Sequence, residues 1–156
     1  MTRRTGGCQC GAVRFAVEGE LGRASLCHCR MCQKAFGSAF GPFVSAPMSA
    51  FSWTRGAPKH FQSSNKVRRG FCGACGTPLT FEWSAEVMEL AIGAFDDPSK
   101  IRPVVQLAVD AALPWVGEIA GLPAVSASEG QAMQAHYASI VSHQHPDHDT
   151  ADWPKA

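Results

Sequence analysis

Seven cysteines dominate the chemistry available to this 156-residue chain. They come as Cys8-Gln9-Cys10, Cys27-His28-Cys29-Arg30-Met31-Cys32 and Cys72-Gly73-Ala74-Cys75. Thiolates are soft metal ligands, and spacing decides which of them can reach the same ion. In extended backbone, residues i and i+2 share a face, so Cys8 with Cys10 and Cys27 with Cys29 can each aim at one metal. A Cys-x2-Cys pair suits a tight turn around an ion, and Gly73 and Gly76 allow the backbone angles of such a turn.

Seven ligands divide as four plus three. Cys8, Cys10, Cys72 and Cys75 are expected to form a closed, structural zinc site that clamps the N-terminal strand to a distant turn. Its binding free energy would be folding free energy, on the order of 10 kcal/mol. Cys27, Cys29 and Cys32 are expected to cap a second zinc. Three protein ligands leave one coordination position open, the arrangement of catalytic zinc. Other readings compete: small buried hydrophobes, a redox pair at Cys72 and Cys75 that lacks its βαβ setting, and iron–sulfur binding, which thiolates alone do not separate from zinc.

These motifs resemble the glutathione-dependent formaldehyde-activating enzyme family, to which centromere protein V is related. The matching text is Gly7 to Gly11, Cys27 to Cys32 and Phe71 to Leu79. Softer matches lie at Phe51 to Gly56, at Ser63-Ser64 and at Ala112 to Trp115, so the likeness runs from about Thr5 to Pro123. The resemblance implies a mainly β, β-tent fold of small packed antiparallel sheets with two zinc ions. It gives the outer cysteine pairs the structural ion and Cys27, Cys29 and Cys32 the catalytic one. It also implies a carbon–sulfur lyase that forms or cleaves S-hydroxymethylglutathione from glutathione and formaldehyde. Two positions depart from the family: Gln106 stands where a histidine is frequent and Ala112 where a lysine is common, which leaves room for another thiol. A non-enzymatic zinc scaffold is the competing reading, favoured if a residue such as His60 closes the second site.

Glutathione carries two carboxylates, which call for arginine or backbone donors. Arg68, Arg69, Arg30 and Lys34 are the candidates, against the plainer reading of solvated surface charge. Ser63 and Ser64 could bond a peptide ligand or simply form a turn. His28 lies between two ligands, and period-two geometry turns it away from their metal toward a packing or supporting role. Trp53, Trp83 and Phe81 are expected to pack the core, with an aromatic wall beside the open zinc as the lesser reading. His143, His145 and His148 could bind a surface ion, but a flexible tail is the simpler expectation.

The elements that must position these residues are short strands. Alternation marks Ala12 to Val17 as a half-buried strand, and Phe40 to Val44, Phe51 to Trp53, Leu79 to Trp83, Val87 to Ala91 and Val105 to Val109 read similarly. Arg30 to Phe36 reads as a short helix. After about Pro123 the composition shifts: Ser126 or Ser128 caps a helix, with Met133, His136, Tyr137, Ile140 and Val141 on one stripe, followed by a mobile tail from His143. Residues 1–125 are thus a zinc-binding β domain and 126–156 a helix and tail on the same domain. Apolar residues make up 46% of the chain, enough for a core without disulfides. The formal charge of +1 gives no broad pull toward nucleic acid. With no apolar leader and no membrane-length apolar run, the expectation is a soluble cytoplasmic protein. Reduced thiols there favour metal over disulfides. The oligomeric state stays open, a dimer included.

Overall fold

Two antiparallel strand systems meet at one apolar core. The computed structural model describes residues 2–152. Strands β1 (Arg3–Gly7), β2 (Arg14–Glu18) and β5 (Phe51–Arg55) form a three-stranded sheet in the order β1-β2-β5. Alternation along β2 suggests one buried face, yet both faces are covered. Phe15 and Val17 point into the core, while Arg14 and Ala16 are buried on the other side. Arg14 is covered because its guanidinium pairs with Asp96 at 2.6 Å and Asp149 at 2.9 Å.

The second sheet has seven strands. Its members are β3 (Ala24–Cys27), β4 (Gly41–Pro47), β6 (Lys59–Gln62), β7 (Arg68–Phe71), β8 (Pro78–Glu82), β9 (Val87–Ala91) and β10 (Val105–Leu107). Their order is β10-β3-β4-β9-β8-β7-β6. Every pairing is antiparallel except β10 with β3, which is parallel and sets Leu107 beside Cys27. The core gathers Phe15, Val17, Val44, Leu79 and Leu90, all at 0–1% exposure, which makes it the main apolar burial available to the fold. Phe15 packs edge-on against Trp53 and Phe95, so Trp53 joins the core as its sequence suggests.

Helix α1 (Arg30–Phe36) follows the middle cysteines and ends at Gly37, whose φ of 57° places it in the left-handed region that favours glycine. Helix α2 (Ala127–Ala138) starts at Ser126, which forms a capping box with Glu129. It buries no residue and stops before Ile140 and Val141, so the apolar stripe expected there does not act as a packing face. The polar stretch after His143, where the sequence suggests a mobile tail, makes specific contacts as far as Thr150. The His145 backbone N–H donates to Gln9 O at 2.7 Å, Asp149 pairs with Arg3 and Arg14, and Arg55 donates to Thr150. Trp153 to Ala156 of that stretch, and Met1, lie outside the described residues.

Candidate metal centres and the cleft beside them

The outer cysteines meet across two glycine-closed turns. Cys8 to Gly11 and Cys72 to Gly76 each close with a glycine N–H donating to the carbonyl of the turn's first cysteine, at 3.0 and 2.9 Å. Gly11 and Gly76 have φ of 75° and 79°, conformations that L side chains rarely adopt. The Cys8–Cys10 pair therefore converges through a turn and not through the extended strand that its spacing suggests. Cys8 Sγ lies 3.6 Å from Cys10 Sγ, which lies 3.8 Å from Cys72 Sγ. The sulfurs of Cys8, Cys10, Cys72 and Cys75 all fall within 4.8 Å of one another. Sulfurs bound at about 2.3 Å to a tetrahedral zinc stand about 3.8 Å apart, so the donor set has the right size and chemistry for such an ion.

Protons are held unevenly in this set. Burial pushes the Cys8 thiol up to about 12. Burial also raises Cys75, but the Thr77 hydroxyl at 3.1 Å and backbone donors outweigh it and hold that thiol at about 6. A cation that replaces the protons would relieve the cost of crowding desolvated thiols.

The middle cysteines are brought together by a strand end and a helix start. Cys27 closes β3, Cys29 is the N-cap of α1, and Cys32 lies in its first turn. Their sulfurs also lie within 4.8 Å of one another. The Cys29 thiol is raised by burial but more strongly lowered by hydrogen bonds, first among them the Cys32 N–H at 3.4 Å. Cys32 is pushed by burial up to about 12 despite the Arg69 guanidinium donating to its sulfur at 3.4 Å. Among the described residues no fourth Cys, His, Asp or Glu joins this trio. His60, a conceivable fourth ligand, sits on edge strand β6 and bonds Glu82 at 2.9 Å.

Supporting contacts surround the trio. His28 is fully buried between its cysteine neighbours, and its Nε2 meets Gln106 Oε1 at 2.8 Å. Its sequence position suggests such a supporting role. Gln33, also buried, donates from Nε2 to the carbonyls of His28 at 2.8 Å and Ala111 at 3.0 Å. These bonds tie the cysteine loop to the chain around β10.

A cleft of about 390 Å³ opens on Cys27 and Cys32. Phe43, Phe81, Trp83 and Leu107 form most of its wall, with Arg23 and Glu89 as the charged members. Phe81 and Trp83 thus line the cleft, not the core, and Trp83 is 57% exposed. None of the four basic candidates lines it. Arg69 is buried beneath the trio, held by Ser63 Oγ at 3.0 Å and stacked 4.8 Å over the Phe81 ring. Arg68 pairs with Glu82 at 2.6 Å, Arg30 reaches Gln33 at 3.2 Å, and Lys34 is exposed on α1. Ser63 therefore serves Arg69, while the Ser64 hydroxyl accepts the Lys66 N–H within a turn. The basic residue at the cleft, Arg23, gives no signal in the sequence, because it precedes a strand too short to show alternation. His143 and His148 are exposed and join no metal-sized cluster among the described residues.

A model of the family described as glutathione-dependent formaldehyde-activating enzyme matches residues 3–111. An uncharacterized lyase of Schizosaccharomyces pombe is 31% identical over 84 residues, which make up 54% of this chain. The match spans only 61% of that protein's length. A crystal structure of a Rhodobacter sphaeroides protein superposes with a TM-score of 0.53 at 22% identity, over 65% of this chain and 98% of the other. That likeness concerns the fold alone.

Proposed function

This chain belongs to the glutathione-dependent formaldehyde-activating enzyme family, and from that premise we propose that it is a carbon–sulfur lyase joining a thiol to an aldehyde, or parting them, at Cys27, Cys29 and Cys32. The family reaction would be formation or cleavage of S-hydroxymethylglutathione from glutathione and formaldehyde. One observation carries the reading: three converging sulfurs with no fourth protein ligand among the described residues, at the edge of an accessible cleft. The donor sets suit two zinc ions, one held structurally by Cys8, Cys10, Cys72 and Cys75 and one by the trio. A zinc ion held by the trio would supply a coordination position on which the substrate thiol becomes a thiolate.

The chain's own residues do the rest. Cys27, Cys29 and Cys32 fix where the substrate sulfur sits, next to the cleft. Arg69 places a buried positive charge at Cys32 and so supports the crowded negative charge of three thiolates. His28 and Gln33 hold the loop that carries the trio. The cleft wall keeps water from much of the bound carbon skeleton. In the synthetic direction the substrate sulfur bonds to the carbonyl carbon, the thiol proton leaves to solvent and the carbonyl oxygen gains a proton. Cleavage reverses each change. Holding sulfur and carbonyl together contributes mainly through proximity.

Seven cysteines free of disulfides fit a reducing, cytoplasmic setting, which is part of this reading. No helix among the described residues is long and apolar enough to cross a membrane. The reading is tested by following adduct formation from glutathione and formaldehyde with zinc-loaded protein, with metal-stripped protein and with none. Acceleration by the loaded protein alone supports it. Equal rates across pH, with glutathione and with an aromatic thiol alike, defeat it.

A further inference from the structure

Beside the candidate reaction site lies a cleft whose chemistry is poorly matched to a peptide. Its wall is mainly three rings and a leucine, Phe43, Phe81, Trp83 and Leu107, with Ser25 and Ser45 as its uncharged polar members. A ligand with amide groups lying against that wall would lose hydrogen bonds to water without replacement, at a cost of about 1–3 kcal/mol for each unpaired group. An apolar body gains there in proportion to the area removed from water. The charged residues narrow the choice further. Arg23 makes no ion pair among the described residues, so its guanidinium is available to one anion. Glu89 accepts a hydrogen bond from Ser45 Oγ at 2.8 Å and presents a carboxylate to the same space, which disfavours a second anion.

We infer that the cleft selects a thiol with an apolar, preferably aromatic, body and a single carboxylate, with Trp83 as the main specificity-determining residue and Arg23 as the carboxylate's partner. This inference rests on the reading that the substrate sulfur binds at Cys27, Cys29 and Cys32. The sulfur sits at the trio's edge of the cleft, the body lies along Phe81 and Trp83, and the carboxylate reaches Arg23. Trp83 is suited to this role because more than half of its surface is exposed, so the fold does not already consume its apolar area. Phe81 is less adjustable: its ring already carries the Arg69 guanidinium and packs against Phe43. Glutathione, a peptide with two carboxylates, would pair one of them with Arg23, leave the other near Glu89 and lay amides against the rings.

The test is calorimetric titration of zinc-loaded protein with 4-(sulfanylmethyl)benzoate and, separately, with glutathione. The aromatic thiol is expected to bind roughly tenfold or more tightly than glutathione, the gain of one well-packed ring. Trp83→Ala should remove that preference while leaving glutathione affinity nearly unchanged, Trp83→Phe should restore most of it, and Arg23→Gln should weaken the aromatic thiol selectively. Zinc content and thermal midpoint of each variant, measured alongside, show that the exposed side chain was lost without loss of fold. Glutathione binding as tightly as the aromatic thiol, or Trp83→Ala weakening both alike, overturns the inference and leaves the lyase reading standing. If neither thiol binds the loaded protein, the open-site reading fails and takes this inference with it.

Discussion

The Nε2 atom of His28 lies 2.8 Å from Oε1 of Gln106, joining a fully buried ring on the cysteine loop to the middle of the edge strand β10. With the amide oxygen accepting, Nε2 carries the proton. Nδ1 then remains a lone pair with no partner among the described residues. The pairing complements two backbone links, His28 N–H to Leu107 O at 2.9 Å and the parallel register of β10 on β3. Gln106 thus acts from outside the cysteine trio on the loop that carries Cys27 and Cys29.

Gln106→Leu should remove the hydrogen bond that the His28 ring makes among the described residues and leave a buried N–H unsatisfied, with only the edge contact to Phe40 remaining beside it. The expected loss is about 1–3 kcal/mol of stability. Thermal melts should show the lower midpoint, and metal analysis should show weaker retention of the second ion before the first. An unchanged melt and unchanged metal content would mean that the contact does not support the loop.

Arg69→Met keeps much of the side chain's bulk but deletes the donor to Cys32 Sγ and the bond to Ser63. By the usual weight of contacts behind metal ligands, zinc affinity at the trio should fall about 10–100-fold. Competition with a chromophoric chelator would read this as one early-released ion per chain, the other keeping its wild-type profile. Loss of both ions together would show a general effect on folding.

The two candidate metal centres should fail differently. Cys8 and Cys10 are joined to Cys72 and Cys75 across the fold, whereas Cys27, Cys29 and Cys32 belong to one short segment from the end of β3 to the start of α1. A structural zinc contributes on the order of 10 kcal/mol, comparable with the whole stability of a domain. Cys72→Ala is therefore expected to abolish cooperative unfolding. Cys27→Ala should keep the strand signature in circular dichroism and bind one zinc. Equal tolerance of both substitutions would remove the structural role from the outer four.

Acid should weaken the N-terminal sheet through Asp96. Burial raises its carboxyl, but the Arg14 guanidinium at 2.6 and 2.8 Å and the Thr5 hydroxyl prevail and hold it below the ordinary value. A carboxyl depressed on folding contributes stability that is fully present above its unfolded value of about 3.9 and lost as pH falls through the lower folded value. Asp96→Asn should cost about 1–3 kcal/mol at neutral pH, since buried Arg14 loses one charged partner and keeps Asp149. It should also flatten the fall of the urea midpoint below about pH 4. A parent-like acid limb in the variant would locate the pH dependence elsewhere.

Local pattern was enough for some elements. Helix α1 falls on Arg30–Phe36 and strand β9 on Val87–Ala91 as the pattern suggests, and Ser126 caps α2. Strands β1, β3, β6 and β7 left little trace. β1 is Arg- and Gly-rich, β6 is exposed throughout, and β3 and β7 span only four residues each. A strand of that length is specified by its neighbours more than by its own alternation. The docking of His145 and Asp149 on the N-terminal sheet was equally hidden, because a polar tail shows no periodicity to read.

Residue type and close spacing by themselves determined the two outer thiolate pairs and the middle trio, because coordination chemistry depends on donor identity and on short reach along the chain, whereas the meeting of Cys8 and Cys10 with Cys72 and Cys75 is made by the fold. Tertiary structure alone decided what faces those sulfurs. The cleft draws Arg23, Phe43, Phe81, Trp83, Glu89 and Leu107 from segments that are neighbours only through the order β10-β3-β4-β9-β8. It also turned Arg69 inward under Cys32 and left Arg68 outside with Glu82. Adjacent residues of a strand point to opposite faces, and which face meets the site follows from pairing register with distant strands.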